Sequence, residues 1–171
     1  MIPAWASEFK RIFGRASGGL THGYHLDDAE TVVVALGSVL GTIKDTIDEM
    51  REQGVKIGVL GITCFRPWPT AAVREALAGA KRVLVLEKSL AVGLGGIVAN
   101  DVSDSYHGLA DDVYTVIAGL GGRSITRGSL HRVFTAAVAG ELEPVTFLDL
   151  DHSLVDRVLA REREHRRSGP I

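Results

Sequence analysis

A single cysteine, Cys64, stands among 171 residues. A lone thiol forms no internal disulfide, and one thiolate cannot supply the ligands of an iron–sulfur cluster or a structural zinc site. Any redox metal then belongs to a partner. Long apolar runs are also missing. No stretch approaches the roughly 18 to 20 residues that span a bilayer, and the start, MIPAWASEFKRIF, scatters charges where a secretory signal needs an unbroken apolar segment. The expectation is a cytoplasmic protein with no membrane partner. Nor does charge of one sign prevail. A formal net charge of -2 and a pI near 6.3 give no broad attraction to phosphate backbones, so nucleic acid is not an expected partner.

Several enzyme signatures are absent too. There is no G-x-x-x-x-G-K-[ST] loop and no G-x-S-x-G elbow, and Ser38, Ser89 and Ser124 have no histidine nearby in sequence. No catalytic nucleophile stands out. His22 and His25 are three apart, but in a loop-to-strand segment that spacing does not aim two rings at one metal. They read as surface polar residues.

What is present is an ordinary globular composition, 46% hydrophobic and 23% charged, enough for one buried core. Short β-branched runs alternate with amphipathic helical patterns, the mark of an α/β sheet with crossover helices. TVVVALG (31–37), VKIGVLGI (55–62), RVLVLE (82–87) and DVYTVIAGL (112–120) read as strands; the first is apolar enough for burial on both faces. Val39, Leu40, Ile43, Ile47 and Met50 recur at helical spacing and Gly54 stops that helix. Thr70 is the expected N-cap of a short helix running to Gly79. GIVANDVSDSYHG and TRGSLHRVFTAAVAGEL read as the next two helices, the latter with Leu130, Val133, Phe134, Ala137 and Val138 on one face.

The ends differ from this rhythm. Residues 1–22 read as an aromatic helix and linker, with Trp5, Phe9, Ile12 and Phe13 at helical spacing and a joint at Gly14 to Gly19. Residues 23–150 form the expected domain, entered by an edge strand within GYHLDDAE (23–30) and closed by strand-like PVTFLDL (144–150). Residues 151–171 read as a helical tail whose Leu154, Val155, Val158 and Leu159 form a stripe and whose arginines, interleaved with acids, form a solvated face. Both ends look like segments that dock on something.

LEKSLAVGLGG (86–96) resembles a phosphate-cradling loop, yet a G-x-G-x-x-G/A fingerprint starting at Gly93 meets Val98 at its last position. Glu87 would also set a carboxylate beside a phosphate, although Lys88 offsets it. We read the stretch as structural. Glycine turns nevertheless line the carboxyl edge of the strands, where open α/β sheets take ligands. A small anion there could meet N–H groups at helix starts after Gly95 or Gly122, with Arg123 as counter-charge. The alternative is that Arg123 caps a neighbouring element or pairs across an interface. In FRPWP, prolines flank Trp68 and hold Arg66 at the same edge, either as a preordered contact surface or as a rigid connection with Trp68 folded onto the domain.

Taken in order, DDAETVVVALGSVLGTIKDTIDEMREQGVKIGVLGITCFRPWP, KRVLVLEKSLAVGLGG and VIAGLGGRSIT resemble the second domain of the alpha chain of pyruvate:ferredoxin oxidoreductase, across about residues 5 to 150. The usual family forms include F-R-P-F-P and G-L-G-G-R-D, so Trp68 and Ser124 depart from them, and a serine is common where Ala91 stands. The resemblance implies a three-layer α/β/α fold like the carboxyl-terminal domain of transketolase. Its five-stranded mixed sheet would run in order 1-3-2-4-5 with the first strand antiparallel, placing a crevice between the Gly37–Ser38 turn and the 86–96 stretch. It implies that thiamine diphosphate and iron–sulfur clusters sit in other domains or subunits, and that this chain, which lacks a G-D-G…N thiamine motif and starts near where the preceding domain ends, binds no cofactor itself. The implied role is a noncatalytic docking domain in an oligomer that, with ferredoxin and coenzyme A, cleaves a 2-oxoacid. Docking would use the N-terminal helix and FRPWP, with Arg66 and Arg123 as polar anchors; Ser38, Lys88, Gly95 and Gly122 border the crevice. Two rivals share the fold: a domain of another thiamine enzyme, such as a 2-oxoacid dehydrogenase beta chain or a transketolase-like synthase, and a free-standing module for a small anion.

Overall fold

The computed structural model describes residues 1–106 and 112–167. The last two residues of the helix expected over 96–108 and the last four of the tail, 168–171, lie outside the described residues.

Four strands carry the core: β2 (Thr31–Ala35), β3 (Ile57–Ile62), β4 (Arg82–Glu87) and β5 (Asp112–Ile117) run parallel. All five residues of β2 and all six of β3 are buried, which is what near-continuous apolar runs require in a sheet covered on both faces. β1 (Thr21–Tyr24) adds to β3 antiparallel at one edge. The sheet order is β1-β3-β2-β4-β5-β6, so the first five strands follow the expected sequence and the antiparallel first strand is as expected. One strand more is present. Thr115 donates to Pro144 O at 2.8 Å and Leu148 to Ile117 O at 2.9 Å, drawing the short β6 (Val145–Phe147) alongside β5.

Alternate residues of each strand feed two cores. Val33, Ala35, Leu84 and Leu86 point to the layer formed by α2 (Val39–Glu52) and α5 (Arg127–Ala139), where Ile43, Ile47, Leu130 and Phe134 are buried. Val32, Val34, Val83 and Val85 point to the opposite layer, formed by α3 (Thr70–Leu77) and α4 (Ile97–Tyr106), where Val73, Leu77, Val102 and Tyr106 are buried. The two-residue period of the strands thus builds the three layers. Because α2 covers one face and α3 and α4 the other, strand order reverses between β2 and β4. Their carboxyl ends diverge there.

Two local expectations need correction, and a third is refined. The edge strand lies at Thr21–Tyr24 and not within 23–30, because His25 adopts φ 54 and starts a turn in which Ala29 donates to Leu26 O. Thr70 is the first helical residue; Pro69 occupies the N-cap position and no side chain caps the helix. Val138 is only half-buried, at the border of the α5 stripe.

The two ends contribute nothing to either core. α1 (Ile2–Phe13) and α6 (His152–Arg167) have no buried residue. Helices of this length are marginal in water without an apolar face packed on something. Trp5 and Phe13 on α1, and Leu154, Val158 and Leu159 on α6, all stand exposed.

Candidate functional site

The turns after β2, β3, β4 and β5 meet at the carboxyl edge of the sheet. Between the first and third lies a cavity of about 200 Å³, lined by Leu36, Val39, Leu86, Glu87, Lys88 and Ser89. Ser38 occupies the N-cap of α2 beside it without a capping hydrogen bond from its side chain. Cofactor pockets are commonly about 300–1,000 Å³, so this crevice is small.

The start of α4 is already filled. The Glu87 carboxylate accepts backbone N–H bonds from Ile97 (2.9 Å), Val98 (3.0 Å) and Ala99 (3.1 Å), satisfying the amides that an anionic ligand would otherwise use. Glu87 is buried at the end of its strand, and these charge-assisted bonds compensate its carboxylate. A thiamine diphosphate does not fit here: its phosphates would meet a buried carboxylate in place of free N–H groups. The loop above is closed by Ala91 N to Gly95 O at 2.9 Å and Gly95 N to Ala91 O at 2.8 Å, with Gly93 and Gly95 at φ 83 and 85. Gly95 therefore shapes the loop, and the amides of the helix start belong to Glu87.

Gly122 ends a 3₁₀ turn (Leu120–Gly122), and α5 begins only at Arg127, where the Thr126 hydroxyl caps Ser129 N at 3.1 Å. The helix read from Thr126 thus starts where expected, its N-cap four residues beyond Gly122, so its first amides stand apart from that glycine turn. Arg123 donates to the carbonyl of Asp149, while the Asp149 carboxylate accepts from Ser129 Oγ at 2.6 Å and Arg132 Nη2 at 2.8 Å. Together they fasten the segment after β6 to α5. A second cavity of about 210 Å³ lies against this clamp, bordered by Ile117, Leu120, Phe147 and Leu154.

In the β3 turn, the Trp68 indole donates to Ser105 Oγ at 2.7 Å and its ring packs on the α3/α4 core. Arg66 Nη1 lies 2.9 Å from Asp101 Oδ2, and its guanidinium stacks over Phe65 at 3.9 Å. The Arg66–Asp101 contact is an ion pair without the alignment of a hydrogen bond, since Asp101 Oδ2 has no hydrogen-bond partner among the described residues. Arg66 and Trp68 thus both tie this turn to α4. The structure separates the candidates: Ser38 and Lys88 share the central crevice, Gly95 closes the adjoining loop, Arg66 and Trp68 sit on the β3 turn, and Gly122 and Arg123 lie beyond β5. His22 and His25 diverge, the first approaching Thr63 Oγ1 at 3.4 Å and the second Asp48 at 3.3 Å. Burial and the nearby Lys44 charge hold the His22 imidazole below its ordinary range.

Sequence reasoning missed Asp149 and Ser105 and saw in Glu87 only a charge unfavourable to phosphate. The available signal was spacing: Glu87 closes a strand ten residues before the helix start at Ile97, and Gly96 leaves the room it needs.

A family model for the pyruvate:ferredoxin oxidoreductase core domain II matches residues 29–130. The chain belongs to that family. As a core domain II it is 39% identical over 161 residues to the pyruvate synthase subunit PorA of Methanosarcina barkeri, covering 90% of this chain and 40% of that subunit. It therefore spans well under half of that relative's length. Two solved structures share the fold. A 2-oxoglutarate:ferredoxin oxidoreductase from Magnetococcus marinus matches 77% of this chain and 21% of that one with a TM-score of 0.53 and 16% identity. A split-gene transketolase, an inactive beta4 tetramer, matches 71% of this chain and 42% of that one with a TM-score of 0.52 and 14% identity. Among the described residues, no helix is long and apolar enough to cross a membrane, and no group of three His, Cys, Asp or Glu side chains converges on a metal position.

Proposed function

We propose that this core domain II is the docking domain of the alpha subunit of a cytoplasmic 2-oxoacid:ferredoxin oxidoreductase. The holoenzyme is an oligomer that converts a 2-oxoacid, in the first instance pyruvate, and coenzyme A to acyl-CoA and CO2 while reducing ferredoxin. Thiamine diphosphate and iron–sulfur clusters are held elsewhere in the assembly, and this domain contributes no catalytic group. Residues 21–150, counted from the first residue of β1, are the folded unit; residues 1–20 and 151–171 are flanking docking segments.

The observation that carries this reading is the Glu87 plug. At the sheet position where an α/β domain offers helix amides to an anionic ligand, this chain satisfies them with its own carboxylate. The exposed stripes of α1 and α6 support the docking half of the proposal. Co-expression with the remaining subunits of a PorA-type pyruvate synthase is the test. The expected result is co-purification, with 2-oxoacid-dependent reduction of a viologen dye by the assembly and none by the isolated chain. Turnover by the isolated chain, or its failure to join the other subunits, overturns the proposal.

A further inference from the structure

Around β2 and β4, the two ends of the parallel strands differ in surface chemistry. At the amino edge, Arg51 pairs with Asp28, and Glu30 pairs with both Lys56 at 3.6 Å and Lys81 at 3.0 Å. That edge is closed by its own ions. At the carboxyl edge, the β2 and β4 turns with the helix starts that follow them, residues 36–43 and 88–99, contain a single charged side chain, Lys88. The same turns expose Leu36, Leu90, Val92, Leu94 and Ile97.

Val92 and Leu94 are the extreme case, 101% and 64% exposed at the tip of the 91–95 loop. This tip is not slack. Its two reciprocal backbone bonds are joined by Asn100 Nδ2 donating to Leu94 O at 3.0 Å, and its base is gripped by Glu87 through three amides of α4. A braced loop that holds two aliphatic side chains in water has already met the ordering cost of an interface. Lys88, exposed at its root, has no ion-pair partner among the described residues, and the neighbouring Glu87 is buried and committed to backbone. The unmet charge is therefore positive and lies beside an apolar projection.

We propose that the 91–95 loop is a docking knob: Val92 and Leu94 insert into an apolar pocket on a partner subunit, and a carboxylate on the rim of that pocket pairs with Lys88. This rests on the docking-domain reading and names the surface and the chemistry of its partner. The occupant is a protein with an acid-rimmed pocket, because an isolated Lys88 beside two aliphatic groups is complemented by one carboxylate at the edge of an apolar cavity.

The test uses the co-expressed assembly and compares the wild-type chain with V92D/L94D and with K88E. Far-UV circular dichroism and denaturation midpoints should be unchanged in both variants, since none of the three side chains is buried. Burial of one valine and one leucine predicts that V92D/L94D weakens subunit association by about a hundred-fold or more. K88E should weaken it by about three- to ten-fold and abolish part of its salt sensitivity. A photo-crosslinker replacing Leu94 should label a partner subunit on an apolar segment with an adjacent Asp or Glu, which supports the assignment even if the double variant folds poorly. Wild-type chain that fails to associate defeats the docking reading itself. Association unchanged in V92D/L94D with the wild type bound defeats only the knob. Light scattering that shows a self-associated chain dissolved by V92D/L94D assigns the pocket to a second copy and overturns the partner named here.

Discussion

The Glu87 carboxylate occupies the space that a β-carbon on Gly96 would need: its Oε1 would lie 2.2 Å from such an atom. Gly96 has an ordinary negative or extended φ, so glycine is required there by close approach alone. The side chain that plugs the helix start and the residue that makes room for it form one device. Gly96→Ala is expected to cost about 2 kcal/mol through overpacking, and Glu87→Ala about 3 kcal/mol through the loss of three charge-assisted bonds. Combined, the two should cost less than their sum, because removing the carboxylate relieves the closest clash and leaves the new methyl only Thr115 Cγ2 at 3.0 Å to accommodate. Urea denaturation of the two single variants and the double variant measures this, and strict additivity would show that the two residues are uncoupled.

The Trp68 indole nitrogen donates to Ser105 Oγ at 2.7 Å. Trp68→Phe should cost about 1 kcal/mol, the net value of one hydrogen bond, because the Ser105 hydroxyl still donates to Asp101 O at 2.8 Å. Trp68→Ala, which also empties part of the α3/α4 core, should cost about 3 kcal/mol. Thermal and denaturant melts distinguish the two. Equal losses would mean that the ring contributes no packing.

Asp149 is gripped by Ser129 from a buried position and by Arg132 from an exposed one. The Arg132 side chain is 68% exposed, so solvent screening limits that ion pair to less than about 1 kcal/mol. Ser129→Ala should therefore destabilise the junction of β6 and α6 more than Arg132→Ala does. Hydrogen exchange at residues 145–150 reports it locally, with faster exchange expected in Ser129→Ala and near-wild-type rates in Arg132→Ala.

The His22 ring lies over Gly61, its partner across the β1–β3 ladder, and its imidazole is held below the ordinary value by burial first and by Lys44 second. Between that lowered folded value and about 6.5, the unfolded chain binds more proton at this site than the folded protein does. Stability from His22 is thus complete above pH 6.5 and declines as pH falls through that window. His22→Asn should flatten this part of the profile between pH 7.5 and 5, measured as denaturation midpoints in a pH series. An unchanged slope would place the proton elsewhere.

Much of the fold was legible because its signals are local. Continuous apolar runs such as Thr31–Ala35 bury both faces wherever they pair, and the glycines at 14 and 54 mark helix ends whatever the helices pack on, whereas the helix read through Leu142 stops at Gly140. The strand-like pattern over 144–150 was legible, but its place as a sixth strand of the sheet was not. Val145–Phe147 is three residues long, and only its bonds to β5 make it a strand. The same distinction separates the candidates at the carboxyl edge. Their position there followed from strand ends, whereas what each one touches, Asp101 for Arg66 or the Asp149 carbonyl for Arg123, depends on segments 35 and 26 residues away.

The sequence by itself determined that one cysteine forms no disulfide within this chain, that four apolar strands alternate with helices, and that the 86–96 glycines miss the dinucleotide register, since each follows from residue type and spacing along the chain. Only the tertiary structure decided what fills the start of α4 and what is left in water above it. Whether Glu87 repels an absent phosphate or satisfies three amides depends on the direction of its side chain relative to a helix ten residues later. That direction is set when β4 and α4 pack together, a relation between distant segments that no local pattern encodes.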